Sequence, residues 1–194
     1  MPPRSVPLKE LGQISQGITL SRYADSQGIS YRIVSVADLE DLRIENTQTQ
    51  VQLAVNEIQR YQLRENDVVI AIRGALLKSS VVTKALQDSL SNQNTVFFRA
   101  TDEKGVSPLY LAILLRSEYF RQLPSFKERQ STTTLPAIRV ADLRRLEIPL
   151  PDLQTQNQIA QLFLSVEQVK KVTLSAIETR QKLVNAALTK ALEM

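Results

Sequence analysis

Up to about residue 150, apolar residues come in short runs broken by turn-forming residues; beyond it they recur every three or four positions without a break. In the first region YRIVSV (31–36), DVVIAIR (67–73), SVVTK (80–84) and TVFFRA (95–100) are β-branched or alternating runs between turn residues, and they predict strands of a compact sheet. SPLYLAILLRSEYFRQL (107–123) carries a helical period instead. There Ser107 can cap, Pro108 suits the first helical position, and Leu111, Leu114, Leu115, Tyr119 and Leu123 share one face, which predicts a helix packed on the sheet. The strands follow one another too closely for a crossover helix each time. The expected class is therefore α+β, a compact mixed α/β domain over residues 1–150.

The stretch LPAIRVADLRRLEIPLPDLQTQNQIA (135–160) reads as a short basic strand closed by two prolines, Pro149 and Pro151. After Pro151 neither proline nor glycine occurs again. Residues 152–194 have apolar side chains at 159, 162, 166, 169, 176, 183 and 187, spaced for one long amphipathic helix, and Asp152 is placed to cap it. Roughly 40 residues at about 1.5 Å each give a rod of about 60 Å, longer than a domain of this size can cover. Thr173, Arg180 and Lys190 interrupt the seam, while Phe163, Ile177, Val184, Leu188 and Leu192 broaden it to one side. Such a broad face calls for a partner helix rather than a strict parallel zipper; folding back on its own domain is the alternative.

Composition narrows the chemistry. The chain has 194 residues, 43% of them hydrophobic, enough to bury a core. It has no apolar run long enough to span a membrane and no signal-peptide pattern, so no membrane partner is expected and the cytoplasm is the expected location. With no cysteine and no histidine, imidazole bases, thiol nucleophiles and ordinary zinc sites are excluded. The five glycines (12, 17, 28, 74, 105) are too scattered for a phosphate-cradling loop, and nothing in the sequence asks for a cofactor. Asp102 and Lys104 in TDEKG form the one acidic-x-Lys match to a carboxylate-only magnesium nuclease, and they sit in what reads as a solvated turn. The expectation is a binder without catalytic residues.

A net charge of +4 favours a polyanionic partner only weakly, but the basic residues are not scattered. They fall in or beside polar, turn-like stretches: TLSRY (19–23), IRGALLKSS (72–80), SNQNT (91–95) and FKERQSTTT (126–134). Arg, Lys, Asn, Gln, Ser and Thr are the side chains that contact phosphates and base edges. Read singly, each loop is a solvated surface turn before it is a DNA contact.

The junction resembles that of type I restriction-modification specificity subunits, in which a strand of the form "dL..l.IPlPpl.eQ..Ia..l" joins a target-recognition domain to a long helix. The matching residues are Asp142-Leu143, Ile148-Pro149-Leu150-Pro151, Gln156 or Gln158, and Ile159-Ala160. LKELGQISQGIT (8–19), with its Gly17, is similar to the family's opening strand, YQLRENDVVIAIRG (61–74) to its "L..GDi.i...G" segment, and SLSNQNTVFFRA (89–100) to its "nQn...i" strand. Asn66 stands where the family often has glycine, a tolerable exchange because asparagine also accepts a left-handed turn. Asp152 replaces the second proline of a usual pair. This chain carries one recognition domain and one helical region where the family usually has two of each.

The resemblance implies a non-enzymatic, DNA-reading adaptor. Residues 1–150 would read one half of a bipartite double-stranded target, and residues 151–194 would form a dimerisation and spacer helix. An antiparallel homodimer would restore the two-domain arrangement and dock the methyltransferase (modification) subunit and the restriction subunit. Its twofold symmetry would make the target palindromic about a spacer. The candidate DNA residues are Thr19, Ser21, Arg22 and Tyr23; Arg73, Lys78 and Ser79; Asn92, Gln93 and Asn94, which read equally as a structural turn; and Lys127, Arg129, Gln130 and Thr132. Arg144 and Arg145 are expected to be structural or to hold phosphate. The candidate dimer contacts are Ile159, Leu162, Phe163, Val166, Val169, Ile177, Leu183, Val184 and Leu188. The rival readings are a coiled-coil scaffold with no DNA binding and the carboxylate nuclease.

Overall fold

A computed structural model describes residues 4–54, 58–101, 105–123 and 136–192. The chain divides into two units, Met1–Asn157 and Gln158–Met194.

The first unit is an α+β domain built on a five-stranded sheet. Its strands are β2 (Gly12–Gln16), β4 (Arg43–Ile44), β6 (Val68–Ala71), β7 (Ser79–Val82) and β9 (Thr95–Ala100), in the order β2-β9-β6-β7-β4. All pairs are antiparallel except β4 with β7. A second sheet has the order β5-β3-β8, from β3 (Ala24–Val34), β5 (Gln50–Leu53) and β8 (Leu90–Ser91). A third pairing joins β1 (Arg4–Pro7) to β10 (Glu147–Leu150), antiparallel. Between β1 and β2 lies the single turn α1 (Leu8–Leu11), and between β2 and β3 the turn α2 (Leu20–Tyr23).

The predicted strands are present with shifted ends. Strand β9 matches TVFFRA, whereas β6 and β7 are shorter than the apolar runs around them. Strand β3 is longer, because its polar first half pairs with β5 across an irregularity: Ala24 and Ile29 both face Leu53, with residues 25–28 looped out between them. Asn66 has φ +69, the left-handed turn foreseen for an asparagine at this position. The described residues include two apolar clusters among their buried side chains. One gathers Val34, Leu39, Val69, Val82 and Phe97; the other gathers Ile18, Ile33, Leu53, Ile58 and Leu90.

The helix expected over 107–123 begins as foreseen and then breaks. Helix α3 (Pro108–Arg116) is capped by the Ser107 hydroxyl, which accepts from the Tyr110 amide at 3.5 Å. At Ser117 the backbone turns extended, ψ 156°, and a short α4 (Glu118–Arg121) restarts. Arg116 fastens the break by donating to the carbonyls of Leu39, Glu40, Asp41 and Ser79. The restart changes the phase, so Phe120 is buried and Tyr119, expected inside, is 56% exposed.

The junction also differs from the expected strand. Val140–Arg144 is a helical turn, α5, and only Glu147–Leu150 is extended. Arg144 reaches back to the Ile14 carbonyl at 3.5 Å, on the outer edge of β2, the structural option of the two foreseen for it. Tyr110 donates its hydroxyl to the Pro149 carbonyl at 2.6 Å, and burial pushes its phenol pKa up.

Helix α6 (Leu153–Leu192) runs 40 residues, about 60 Å at 1.5 Å each. Asp152 caps it as expected, accepting from the Thr155 amide at 2.8 Å and the Thr155 hydroxyl at 3.0 Å. The first turn is tied into the domain by Gln156, which is fully buried. Its Oε1 accepts from the Ser107 amide at 2.8 Å, and its Nε2 donates to the carbonyls of Gly105 (2.8 Å) and Pro151 (2.9 Å). Among the described residues no helix is long and apolar enough to cross a membrane.

Candidate nucleic-acid interface

Three of the four polar stretches singled out in the sequence meet at one edge of the five-stranded sheet. Strand β2 ends with Gln16 opposite Val96, and β6 ends with Ala71 opposite Thr95, so the chain leaving both strands runs beside the turn that leads into β9. Main-chain bonds join the three: the amide of Gly17 donates to the Thr95 carbonyl (3.1 Å), Ile18 to Ser91 (2.7 Å) and Ile72 to Asn94 (3.0 Å). Gly17 is required by the closeness of this contact, since a Cβ there would stand 2.0 Å from the Asn92 carbonyl oxygen.

Residues 136–138 also meet this edge. Gly74, at φ +76, donates its amide to the Pro136 carbonyl (3.0 Å), Ile138 donates to Ile72 (2.8 Å), and Arg73 bridges to Ala137. Lys127, Arg129, Gln130 and Thr132 lie outside the described residues, as do Asp102 and Lys104.

The candidate side chains fare differently. Thr19, Ser21, Arg22 and Arg73 are exposed, and Tyr23, Gln93 and Asn94 are half-buried. Asn92 builds the turn itself: its Oδ1 accepts from the Asn94 amide at 3.1 Å, and its carbonyl accepts the Thr95 amide (3.0 Å) and hydroxyl (2.9 Å). Ser91 Oγ and Gln93 Oε1 are buried at this edge without a hydrogen-bond partner among the described residues. Lys78 pairs with Glu40, so part of its charge is already answered within the domain. Ser79 is corrected: it is fully buried in β7 and donates to the Ala112 carbonyl of α3 at 3.0 Å, which makes it a packing residue rather than a surface contact. The sequence could not separate it from its neighbours because a serine in a buried strand looks like a serine in a loop.

Sequence reasoning missed Arg60 and Tyr61. Tyr23 and Tyr61 meet edge to face, with centroids 6.0 Å apart and hydroxyls 3.5 Å apart. Arg60 Nη2 donates to the Tyr23 hydroxyl at 3.2 Å, and its guanidinium lies 4.9 Å from the Tyr61 ring centre; Arg22 lies 5.7 Å from that of Tyr23. The Tyr61 hydroxyl and then Arg60 hold the Tyr23 phenol pKa below its ordinary value, while the bond to Tyr23 and then burial raise that of Tyr61. Both rings pack on the Ile18–Leu90 core, next to the turn at Asn92. A signal was available: Arg-Tyr occurs at 22–23 and again at 60–61.

In the second unit, Ile159, Leu162, Val166, Val169, Ile177, Leu183, Val184 and Leu188 are exposed, and Phe163 is half-buried. Leu174, 51% exposed and three residues before Ile177, stands on the same ridge and was omitted from the expected contacts.

A family model described as "Type I restriction modification DNA specificity domain" matches residues 4–183. Two Methanocaldococcus jannaschii proteins are similar in sequence. The type I restriction enzyme MjaVIII specificity subunit is 27% identical over 143 residues, covering 70% of this chain and 33% of that protein. The putative type I restriction enzyme MjaX specificity subunit is 25% identical over 175 residues, covering 87% and 40%. The chain thus spans between a third and two fifths of the length of these relatives.

Among solved structures, one described under complex assembly and conformational transition of the type I R-M system has a TM-score of 0.62 at 23% identity, covering 96% of this chain and 43% of that one. The HsdS subunit from Thermoanaerobacter tengcongensis has a TM-score of 0.60 at 22% identity, covering 85% and 37%. The type I restriction-modification S subunit from M. genitalium has 0.57 at 16%, covering 92% and 42%. At these identities the likeness is one of fold.

Proposed function

Because the chain belongs to the type I restriction modification DNA specificity domain family, we propose that it is the DNA-reading specificity subunit of a type I restriction-modification system, itself without catalytic activity. Residues 1–150 read one half-site of a double-stranded target. The observation that carries this reading is the meeting of residues 17–23, 72–74 and 92–94 at one sheet edge, where exposed Thr19, Ser21, Arg22 and Arg73 combine hydrogen-bonding groups with positive charge. Arg22 and Arg73 are suited to base edges or phosphate, and the sequence candidates Lys127, Arg129, Gln130 and Thr132 bring further DNA-contacting side-chain types to the same reading. Lys78 serves phosphate once its pairing with Glu40 gives way.

Residues 151–194 make the dimer. A 40-residue helix with eight exposed candidate contacts needs a second helix to cover its apolar ridge, and an antiparallel copy of itself supplies one. The two recognition domains then read inverted copies of one half-site, and the paired helices position the methyltransferase and restriction subunits in the cytoplasm. The test is genome-wide adenine methylation in cells expressing this chain with its methyltransferase subunit, against cells lacking the chain. A new motif of two inverted half-sites is the expected result. An asymmetric motif would contradict the homodimer, and no new motif would favour a scaffold that does not touch DNA.

A further inference from the structure

The two Arg-Tyr pairs form a hydrogen-bonding unit whose proton count does not close among the described residues. Arginine only donates, so where Arg60 meets Tyr23 the phenol oxygen must accept. The two phenols then hold two hydroxyl protons between them, and the single contact joining their oxygens, at 3.5 Å, uses one, whichever residue donates. The other proton is left to point at an acceptor outside the unit. Arg22 and Arg60 place two cationic groups beside it, one against each ring.

A surplus donor flanked by two guanidiniums matches an oxygen-rich anion, and the position matters as much as the charge. Tyr23 ends α2, the turn that follows the Gly17 contact with Asn92, and both tyrosines rest on the apolar core that includes Leu90 of β8. The rings are therefore fixed from below, and neither Tyr23 nor Tyr61 is fully buried. Rigid backing of this kind lowers the ordering cost of a contact. It suits a group that sets the register of a duplex more than one that must adapt to different bases.

Resting on the DNA-reading function above, we propose that Arg60, Tyr61, Arg22 and Tyr23 together form a phosphate clamp, holding one strand of the DNA backbone and positioning the neighbouring edge at residues 17–19 and 92–94 on the bases. The clamp does not itself read sequence.

The test uses the full chain and two fluorescein-labelled 30-base-pair duplexes of unrelated sequence, with affinity measured by anisotropy across a salt series. Arg60→Gln and the double change Tyr23→Phe/Tyr61→Phe are compared with Arg73→Ala. The expected result is a loss of about tenfold for Arg60→Gln, equal on both duplexes, with the slope of log affinity against log salt falling by about one. The double Phe variant, which keeps both rings and the fold, loses a comparable share of affinity with an unchanged slope, because no charge is removed. Unaltered binding by both variants, while Arg73→Ala still weakens it, overturns the clamp and leaves the DNA-reading function standing. A loss confined to one duplex also overturns it, because that is base reading. If the unaltered chain shows no salt-dependent affinity for either duplex, both readings fail together.

Discussion

The backbone of Gly17 lies so close to that of Asn92 that a single methyl group on the glycine would stand 2.0 Å from the Asn92 carbonyl oxygen. Two loops that are remote in sequence are thereby held as one surface. Gly17→Ala must push them apart, because the obstructing atoms are backbone. A destabilisation of about 1–3 kcal/mol is expected in urea unfolding, together with weakened DNA binding. Full stability with full binding would show that the two loops move independently.

Asp67 is the one fully buried carboxylate among the described residues, and Arg99 on β9 grips it with Nε at 2.8 Å and Nη2 at 2.6 Å, while the Arg64 amide adds a third bond at 2.8 Å. Arg99→Ala leaves a buried charge with one of its three donors. A loss of about 3–5 kcal/mol is expected by denaturant titration. Replacing both residues by apolar ones of similar size should recover much of it.

Gln156 makes three hydrogen bonds from a position with no solvent access. Gln156→Leu preserves the bulk and removes every partner, so the Ser107 amide and the Gly105 and Pro151 carbonyls are orphaned at about 1–3 kcal/mol for a buried unsatisfied group. Hydrogen exchange should rise at the Ser107 amide first. Unchanged protection there would mean that the clasp is dispensable.

The proposed dimer is tested on the apolar ridge of α6. Val166→Glu or Val169→Glu places a charge where a partner helix would lie, and sedimentation should then show monomers. The same change at Leu174 should act alike, since it stands on the ridge with Ile177. An undisturbed dimer after all three would exclude this helix as the interface.

Asp152 has its carboxyl pKa held below the usual aspartate range, first by the Thr155 amide and then by the Thr155 hydroxyl. A depressed folded-state value means that the cap contributes stability above the unfolded aspartate pKa and loses it as pH falls through the lower, folded value. Helix α6 should fray from its first turn in acid, seen as a shift of the Thr155 amide resonance that follows the titration. In Asp152→Asn that titration should vanish while the helix start persists, because asparagine also caps.

What the sequence made legible was local. The long helix and its Asp152 cap, the Ser107 cap, the left-handed Asn66 and strand β9 each depend on neighbours a few positions away, and each stands as read. What it hid depended on distant partners. Arg116 meets the 39–41 loop from more than 70 positions away, which helps to explain why a continuous helical pattern breaks at Ser117. The polar start of β3 looks like a loop until β5 lies beside it. Arg60 and Tyr61 become part of a site only when the fold brings Tyr23, 38 positions away from Tyr61, against them. The burial of Ser79 likewise comes from α3 lying over its strand.

The antiparallel pairing of β1 with β10 sets an order on the birth of the molecule. Arg4 faces Leu150 and Pro7 faces Glu147, so β1 leaves the ribosome well over a hundred residues before its partner. At about 5–20 residues per second it waits on the order of ten seconds with one edge unsatisfied. The pairing that closes the β1–β10 sheet is thus made only once the segment leading into α6 has emerged, when synthesis of that helix is already under way.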